Sequence, residues 1–258
     1  DPENGVLVDI EASNVVFKGF KLDGDNPSLN AGYPVGTADV NTSEGIQNAP
    51  IWSGPFAQID HLTIENNIFN NFDYQAIYLE VDFNTNRSWN YIKNNKFDNM
   101  WEGVQTYAMH ADISTNVFTG VDRAISMHGV NVDCDAGFFP KIANNEASIN
   151  SKNPNATTRN VGIWVNYRRG TAPALPVSGN TLHFSEAAPG GKTLISFYAL
   201  TITDNRTITF SNNTIDGQGN CHRGFYMSNC PSTNVSISGG SFTGIKDYGV
   251  LMVTNDVT

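Results

Sequence analysis

One short phrase recurs from end to end of this chain: an apolar residue, two spacers, asparagine, any residue, and a second apolar residue. It reads Ile64-Glu65-Asn66-Asn67-Ile68-Phe69, then Ile92-Lys93-Asn94-Asn95-Lys96-Phe97 and Ile113-Ser114-Thr115-Asn116-Val117-Phe118. It returns as Ile142-Ala143-Asn144-Asn145-Glu146-Ala147, Val177-Ser178-Gly179-Asn180-Thr181-Leu182, Phe210-Ser211-Asn212-Asn213-Thr214-Ile215 and Ile237-Ser238-Gly239-Gly240-Ser241-Phe242, with an early relative at Phe17-Lys18-Gly19-Phe20-Lys21-Leu22. Self-similarity of this kind marks an architecture in which each repeat packs only on its neighbours.

A second phrase follows each copy: a small residue and an apolar one, opening a short strand. These are Gly45-Ile46, Ala76-Ile77, Gly103-Val104, Ala124-Ile125, Gly162-Ile163, Leu194-Ile195, Gly224-Phe225 and Gly249-Val250, with Gly5-Val6 opening the first. Alternate side chains of a strand share a face. Ile77 and Leu79, Val104 and Thr106, Ile125 and Met127, Ile163 and Val165, Ile195 and Phe197, and Phe225 and Met227 are therefore expected to point inward. At the corners, Asn67, Asn95, Asn116, Asn145, Asn180 and Asn213 are expected to take the left-handed backbone and to bond one another as a ladder. Gly240 keeps that backbone freedom at the next corner.

These repeats predict an all-β chain, a single right-handed parallel β-helix of about nine rungs occupying residues 1–258 as one domain. Helical periodicity and propeller blade motifs are both missing. The repeats resemble the right-handed parallel β-helix superfamily, which includes pectate lyases, polygalacturonases, alginate lyases and epimerases, and phage tailspikes. The resemblance runs from about Gly5 to Val253 and implies an extracellular protein that acts on or binds polysaccharide. The Asp-Asp and Arg-x-Lys motifs of polygalacturonases are absent, as is the Arg-x-x-Pro-x-x-Arg pattern of pectate lyases; Met127-His128-Gly129 is a partial match to the polygalacturonase histidine motif.

Composition limits the partners. Hydrophobic residues make up 40% of the chain, charged residues only 16%, and the net charge is -10. Such a field repels phosphate backbones and anionic lipid, so neither nucleic acid nor membrane insertion is expected. Cys221 and Cys230 flank one predicted strand, about 30 Å apart at its rise, and with Cys134 are read as buried free thiols. Sequons at Asn41, Asn86, Asn155, Asn205, Asn212 and Asn234 are compatible with secretion. Loops are expected at Asp23–Glu44, Asn131–Pro140, Asn150–Asn160, Arg168–Pro176, Ser185–Lys192 and Asp216–His222, where they would wall a cleft. Superfamily members commonly cap the N-terminal end with an amphipathic helix. Nothing before Val6 forms one, so the chain is expected to be an excerpt or to stack its open ends on a partner.

Outward positions of the repeated strand give two columns: Gln47, Tyr78, Gln105, Ser126, Trp164, Ser196, Tyr226, and Ala49, Glu80, Tyr107, His128, Asn166, Tyr198, Ser228. Neighbours in a column lie about 4.8 Å apart. Aromatic faces stack on pyranose rings while their polar handles bond hydroxyls. The expected substrate-binding residues are Tyr78, Gln105, Trp164, Asn166, Tyr198 and Tyr226.

Catalytic candidates are His128, Tyr107, Glu80 and Arg168. A lyase must neutralise a uronate, remove a proton and protonate the leaving oxygen. Tyr107 or His128 could exchange protons and Arg168 could neutralise. No cofactor is called for, although Glu80 could help hold calcium. A glycosidase needs two carboxyls about 5 to 9.5 Å apart. Glu80 has no carboxyl neighbour in its column, Asp9 lies two rungs away, and Glu102 and Asp122 are expected at a corner. The rival reading is a non-catalytic adhesin, fibre or stalk segment that associates end to end.

Overall fold

The computed structural model describes residues 5–25, 33–35, 38–40, 42–48, 59, 61–81, 89–128, 137–149, 160–166, 175–184, 197–203, 207–228 and 234–253. Every regular element among them is a β-strand. A 12-stranded sheet holds β1 (Gly5–Asp9), β3 (Lys21–Asp23), β6 (Thr42–Gln47), β8 (Ile68–Glu80), β10 (Lys96–Tyr107), β12 (Val117–His128), β14 (Glu146–Ile149), β15 (Asn160–Asn166), β17 (Thr181–Phe184), β18 (Phe197–Thr203), β20 (Thr214–Ser228) and β22 (Ser241–Val253). An 8-stranded sheet holds β2 (Val16–Lys18), β7 (Leu62–Glu65), β9 (Trp89–Lys93), β11 (His110–Ser114), β13 (Lys141–Ala143), β16 (Leu175–Ser178), β19 (Thr207–Ser211) and β21 (Asn234–Ser238). The chain visits the two sheets in turn. Every pairing within them is parallel, and only the small hairpin of β4 (Tyr33–Val35) and β5 (Ala38–Val40) is antiparallel.

The two recurring phrases account for this order. Ile64, Ile92, Ile113, Ile142 and Val177 stand in register on successive strands of the smaller sheet and are fully buried. Ile46, Ile77, Val104, Ile125 and Ile163 do the same in the larger sheet. Between them runs a stack of phenyl rings: Phe69 on Phe97 at 5.0 Å between centroids, and Phe97 on Phe118 at 4.6 Å. Burying each of these rings contributes about 1.5–3 kcal/mol. At Gly103 a Cβ would stand 2.4 Å from the Phe118 ring, which is why the small residue opens the strand there.

The asparagine ladder forms on the expected residues. The side-chain oxygen of Asn95 accepts both the backbone N–H and the side-chain amide of Asn67, at 3.0 and 3.1 Å. The same double bond repeats from Asn95 to Asn116, Asn116 to Asn145, Asn145 to Asn180 and Asn180 to Asn213. Each amide also donates to a main-chain carbonyl, as Asn116 does to Ile92. The left-handed backbone, however, belongs to the residue before each laddered asparagine: Asn66 (φ 58°), Asn94 (56°), Thr115 (57°), Asn144 (55°), Gly179 (66°) and Asn212 (55°), and likewise to Gly239 (63°) before Gly240. The preceding residue turns the chain, which leaves the next amide pointing along the stack. Gly240 is itself left-handed, and a Cβ there would stand 2.1 Å from the Asn213 carbonyl oxygen.

Three further expectations are corrected. The strand opening placed at Leu194-Ile195 lies later: Leu200 and Ile202 stand opposite Ile163 and Val165, so Ala199-Leu200 is the small–apolar pair. Leu194 and Ile195 lie outside the described residues, and the continuous apolar run Phe197-Tyr198-Ala199-Leu200 does not fix the phase from sequence. The loop expected over Asp216–His222 lies within β20, whose register with β22 is irregular there, with Gln218 (φ 46°) and Gly219 (φ 74°) left-handed. His222 accordingly sits on a strand, 2.9 Å from Asp247. Cys221 is buried, its Sγ 3.2 Å from the Arg223 carbonyl oxygen; Cys134 and Cys230 lie outside the described residues.

Candidate functional site

The larger sheet's outer face is most developed where β8, β10 and β12 lie side by side and β15 joins β12. Register places Glu80, Tyr107, His128 and Asn166 in one row, and Tyr78, Gln105, Ser126 and Trp164 in the row beside it. Both rows follow from strand alternation, since Leu79, Thr106, Met127 and Val165 between them are buried.

Their rings touch in sequence. Tyr78 meets Tyr107 edge-on at 6.0 Å, Tyr107 stacks on His128 at 4.8 Å, and His128 meets Trp164 edge-on at 4.7 Å. The Tyr78 hydroxyl donates to the Glu80 carboxylate. The Glu80 main-chain N–H donates to the Asn48 side chain at 2.8 Å, tying this end of the row to the neighbouring strand. His128 is only 5% exposed, so the rings cover it and Tyr107 presents the accessible edge.

Beneath these rows lies a charge cluster that the sequence pattern did not bring out. Glu102 stands opposite Gln75 and Arg123 and is fully buried. Its carboxylate accepts from Arg123 Nη1 at 3.3 Å, from Gln75 Nε2 at 3.0 Å and from the Ser126 hydroxyl. The Arg123 guanidinium lies 5.0 Å from the Trp101 ring and 4.9 Å from the Trp164 ring. Its Nε is buried and has no hydrogen-bond partner among the described residues. A guanidinium covered by indoles keeps cation–π attraction, worth about 0.5–2 kcal/mol per ring, where it loses hydrogen bonds.

Trp101 in turn carries Tyr74, stacked at 4.5 Å and 11°. The register of β8 on β10 slips between Met100 and Glu102, leaving an extra residue on β8. Such a bulge re-aims a side chain, and here it lays Tyr74 on Trp101. Glu102 and Asp122 had been expected at a corner; both lie buried within strands, Glu102 in β10 and Asp122 in β12. The available signal for the Glu102–Arg123 pair was opposite charge at equivalent positions of successive repeats.

Electrostatics separate the roles of these groups. Burial raises the Glu102 pKa against the opposing pull of Arg123 and its hydrogen bonds. Burial also raises the Tyr107 phenol, helped by the nearby Glu102 and Glu80 carboxylates. Tyr107 is therefore a protonated hydrogen-bond donor at neutral pH and not a ready base.

The remaining expected residues fall as follows. Tyr226 stands opposite Thr201, which stands opposite Trp164, so it keeps its column; the Arg223 guanidinium lies 4.6 Å from its ring. Tyr198 does not join the row of His128 and Asn166. It stands opposite Val161 and Arg223, and Thr203 takes the place opposite Ser228. Asp9 stands in register with Gln47, and so in the Tyr78 column and not that of Glu80. Arg168 lies outside the described residues. Asp112 on β11 meets Lys93 at 2.8 Å, Lys141 at 3.5 Å and the Ser114 hydroxyl at 2.6 Å.

Among the described residues no group of three or more His, Cys, Asp or Glu side chains converges on a common point, and no helix is long and apolar enough to cross a membrane. Comparison with protein-family models, with curated proteins and with solved structures gives no match for this chain.

Proposed function

We propose that the chain winds as one right-handed parallel β-helix and that the Tyr78–Tyr107–His128–Trp164 face binds polysaccharide outside the cell. The observation that carries this reading is the unbroken run of rings with Glu80, Gln105 and Asn166 set among them. Stacking surface and hydroxyl-bonding groups on one rigid sheet are what a sugar chain requires. Alternate visits to two parallel sheets support the β-helix.

The enzymatic form of this reading is a polysaccharide lyase or glycoside hydrolase. Tyr107 supplies the proton, His128 holds the Tyr107 ring from behind, Glu80 orients the sugar, and Arg168 neutralises a uronate where there is one. Calcium beside Glu80 belongs to the same form. A second reading, a non-catalytic adhesin, fibre or stalk segment that stacks end to end, is favoured by β22. Its Val250 and Met252 stand opposite the buried Phe225 and Met227, yet are 42% and 47% exposed.

Affinity electrophoresis through gels containing mixed-linkage glucan, xylan, mannan, polygalacturonate or alginate tests the binding face. Retardation in at least one gel, lost in Trp164→Ala and Tyr107→Ala proteins that remain folded, is expected. Free migration of the wild type in every gel would remove the proposal. Release of reducing ends or unsaturated products from the retarding polymer separates the enzyme from the adhesin.

A further inference from the structure

We infer that the binding face has a second stacking shelf, made by Tyr74 and Trp101, and that one saccharide chain lies across both shelves. The inference rests on the saccharide reading above and extends it to the length of ligand the site takes.

Three observations carry it. Tyr74 lies flat on Trp101 and is 43% exposed, so the pair offers an aromatic plane to solvent in place of filling the core. The bulge in β8 opposite Trp101 puts it there, and bulges that re-aim side chains gather beside functional sites. Finally, Arg123 lies between Trp101 and Trp164, close to both rings, so the two shelves are the sides of one arrangement.

The ground between the shelves is polar. Gln75, Gln105 and Ser126 are buried there as a rigid floor, with Glu102 fixing Gln75, Ser126 and Arg123 in place. A sheet face with aromatic rings at two ends, and half-buried Glu80 and Asn166 at its rim, suits a ligand that alternates apolar ring faces with hydroxyl edges. Tyr107 stands six positions beyond Trp101 along β10, so the face from the Trp101 shelf to the far end of the Tyr107 shelf runs about 20 Å at the rise of a strand, which exceeds a single sugar ring. The occupant is therefore an internal stretch of chain, and a terminal sugar alone would fill one shelf. Half-buried Glu80 and the pairing of Arg123 with Glu102 leave this stretch of face without net positive charge among its described residues, which suits a ligand held by stacking and hydroxyl bonds.

Titration calorimetry with the dimer and the hexamer of whichever panel polysaccharide retards the protein tests this directly. The wild type should bind the hexamer at least tenfold more tightly than the dimer. Trp101→Ala should abolish that advantage and leave dimer affinity unchanged, while Trp164→Ala should weaken both. Tyr74→Ser, at an exposed position, should reproduce the Trp101→Ala pattern in part and guards against a folding defect in the tryptophan variant. Wild-type hexamer affinity in both Tyr74→Ser and Trp101→Ala would overturn the second shelf and leave the saccharide reading standing. Failure of the wild type to bind any panel polymer would overturn both.

Discussion

Tyr107 and His128 stand directly opposite one another on adjacent parallel strands, their rings stacked 4.8 Å apart and 21° from parallel. The pairing buries the imidazole and leaves the phenol half-exposed above it. Burial, then the Glu102 and Glu80 carboxylates, raises the phenol pKa above its ordinary value of 10.0. Ultraviolet titration of the folded protein should show a tyrosine ionising later than the rest, and Tyr107→Phe should remove that late step alone. A phenyl ring preserves the stack, so Tyr107→Phe should cost less than about 1 kcal/mol of stability. An unaltered titration curve in the variant would place the perturbed phenol elsewhere.

Glu102 makes the stability depend on pH. Its folded pKa is raised by burial from an ordinary value of 4.5. The folded state then holds the proton more tightly than the unfolded chain. This contribution to stability is fully present below about pH 4.5 and is lost as pH rises through the folded pKa. Glu102→Gln keeps an oxygen for Ser126 and Arg123, turns an amide NH2 toward Gln75, whose own amide can flip to accept it, and removes the titration. Urea unfolding at a series of pH values should show wild-type stability falling across that window and a flatter profile in Glu102→Gln. The reverse slope would mean that Arg123 outweighs desolvation.

Much of this architecture was legible because a ladder needs the same residue at the same place in every repeat. The positions Asn67 to Asn213, Phe69 to Phe118 and Ile77 to Ile163 could be read directly, and so could the rows of Tyr78 and Tyr107 that follow from alternation. What escaped was phase. Phe197-Tyr198-Ala199-Leu200 is a continuous apolar run, so two registers fit the pattern and only neighbouring strands decide between them. Tyr198 left the row for that reason. Tyr74 and Trp101 escaped because a bulge breaks the two-residue period just where they stand. Glu102 read as a solvated corner because its partners, Gln75, Arg123 and Ser126, come from different repeats.

Thr115 offers a gain. It is a β-branched residue at φ 57°, where sister corners carry Asn66, Asn94, Asn144 and Asn212. The left-handed region costs an ordinary side chain about 1–2 kcal/mol, and asparagine much less. Some of that cost is offset by the Thr115 hydroxyl, which lies 2.6 Å from both Asn94 Oδ1 and the Ser114 carbonyl oxygen. Thr115→Asn should therefore raise stability by about 0.5–1 kcal/mol, seen as a later urea midpoint with an unchanged slope. A loss would show that the hydroxyl contacts outweigh the backbone strain.

One residue later, Asn116 tests what holds the corners. It is fully buried; its side-chain oxygen accepts from the Asn95 backbone and amide, and its own amide donates to Ile92 and Asn145. Truncation to alanine leaves the Asn95 N–H and the Ile92 carbonyl facing a cavity too enclosed for bulk water. Each buried polar group stripped of its partner costs about 1–3 kcal/mol. Asn116→Ala should thus lose roughly 3 kcal/mol in urea unfolding, several times the effect of Thr115→Asn beside it and of opposite sign. Asn116→Asp should be at least as damaging at neutral pH, because it keeps the acceptor but sets a buried carboxylate against the Ile92 carbonyl and Asn145 Oδ1. Protonating that carboxyl restores a single donor, so the Asp variant should recover part of its loss on acidification while the Ala variant does not. A loss below about 1 kcal/mol in Asn116→Ala would mean that the apolar columns hold the stack and that the amides merely follow it.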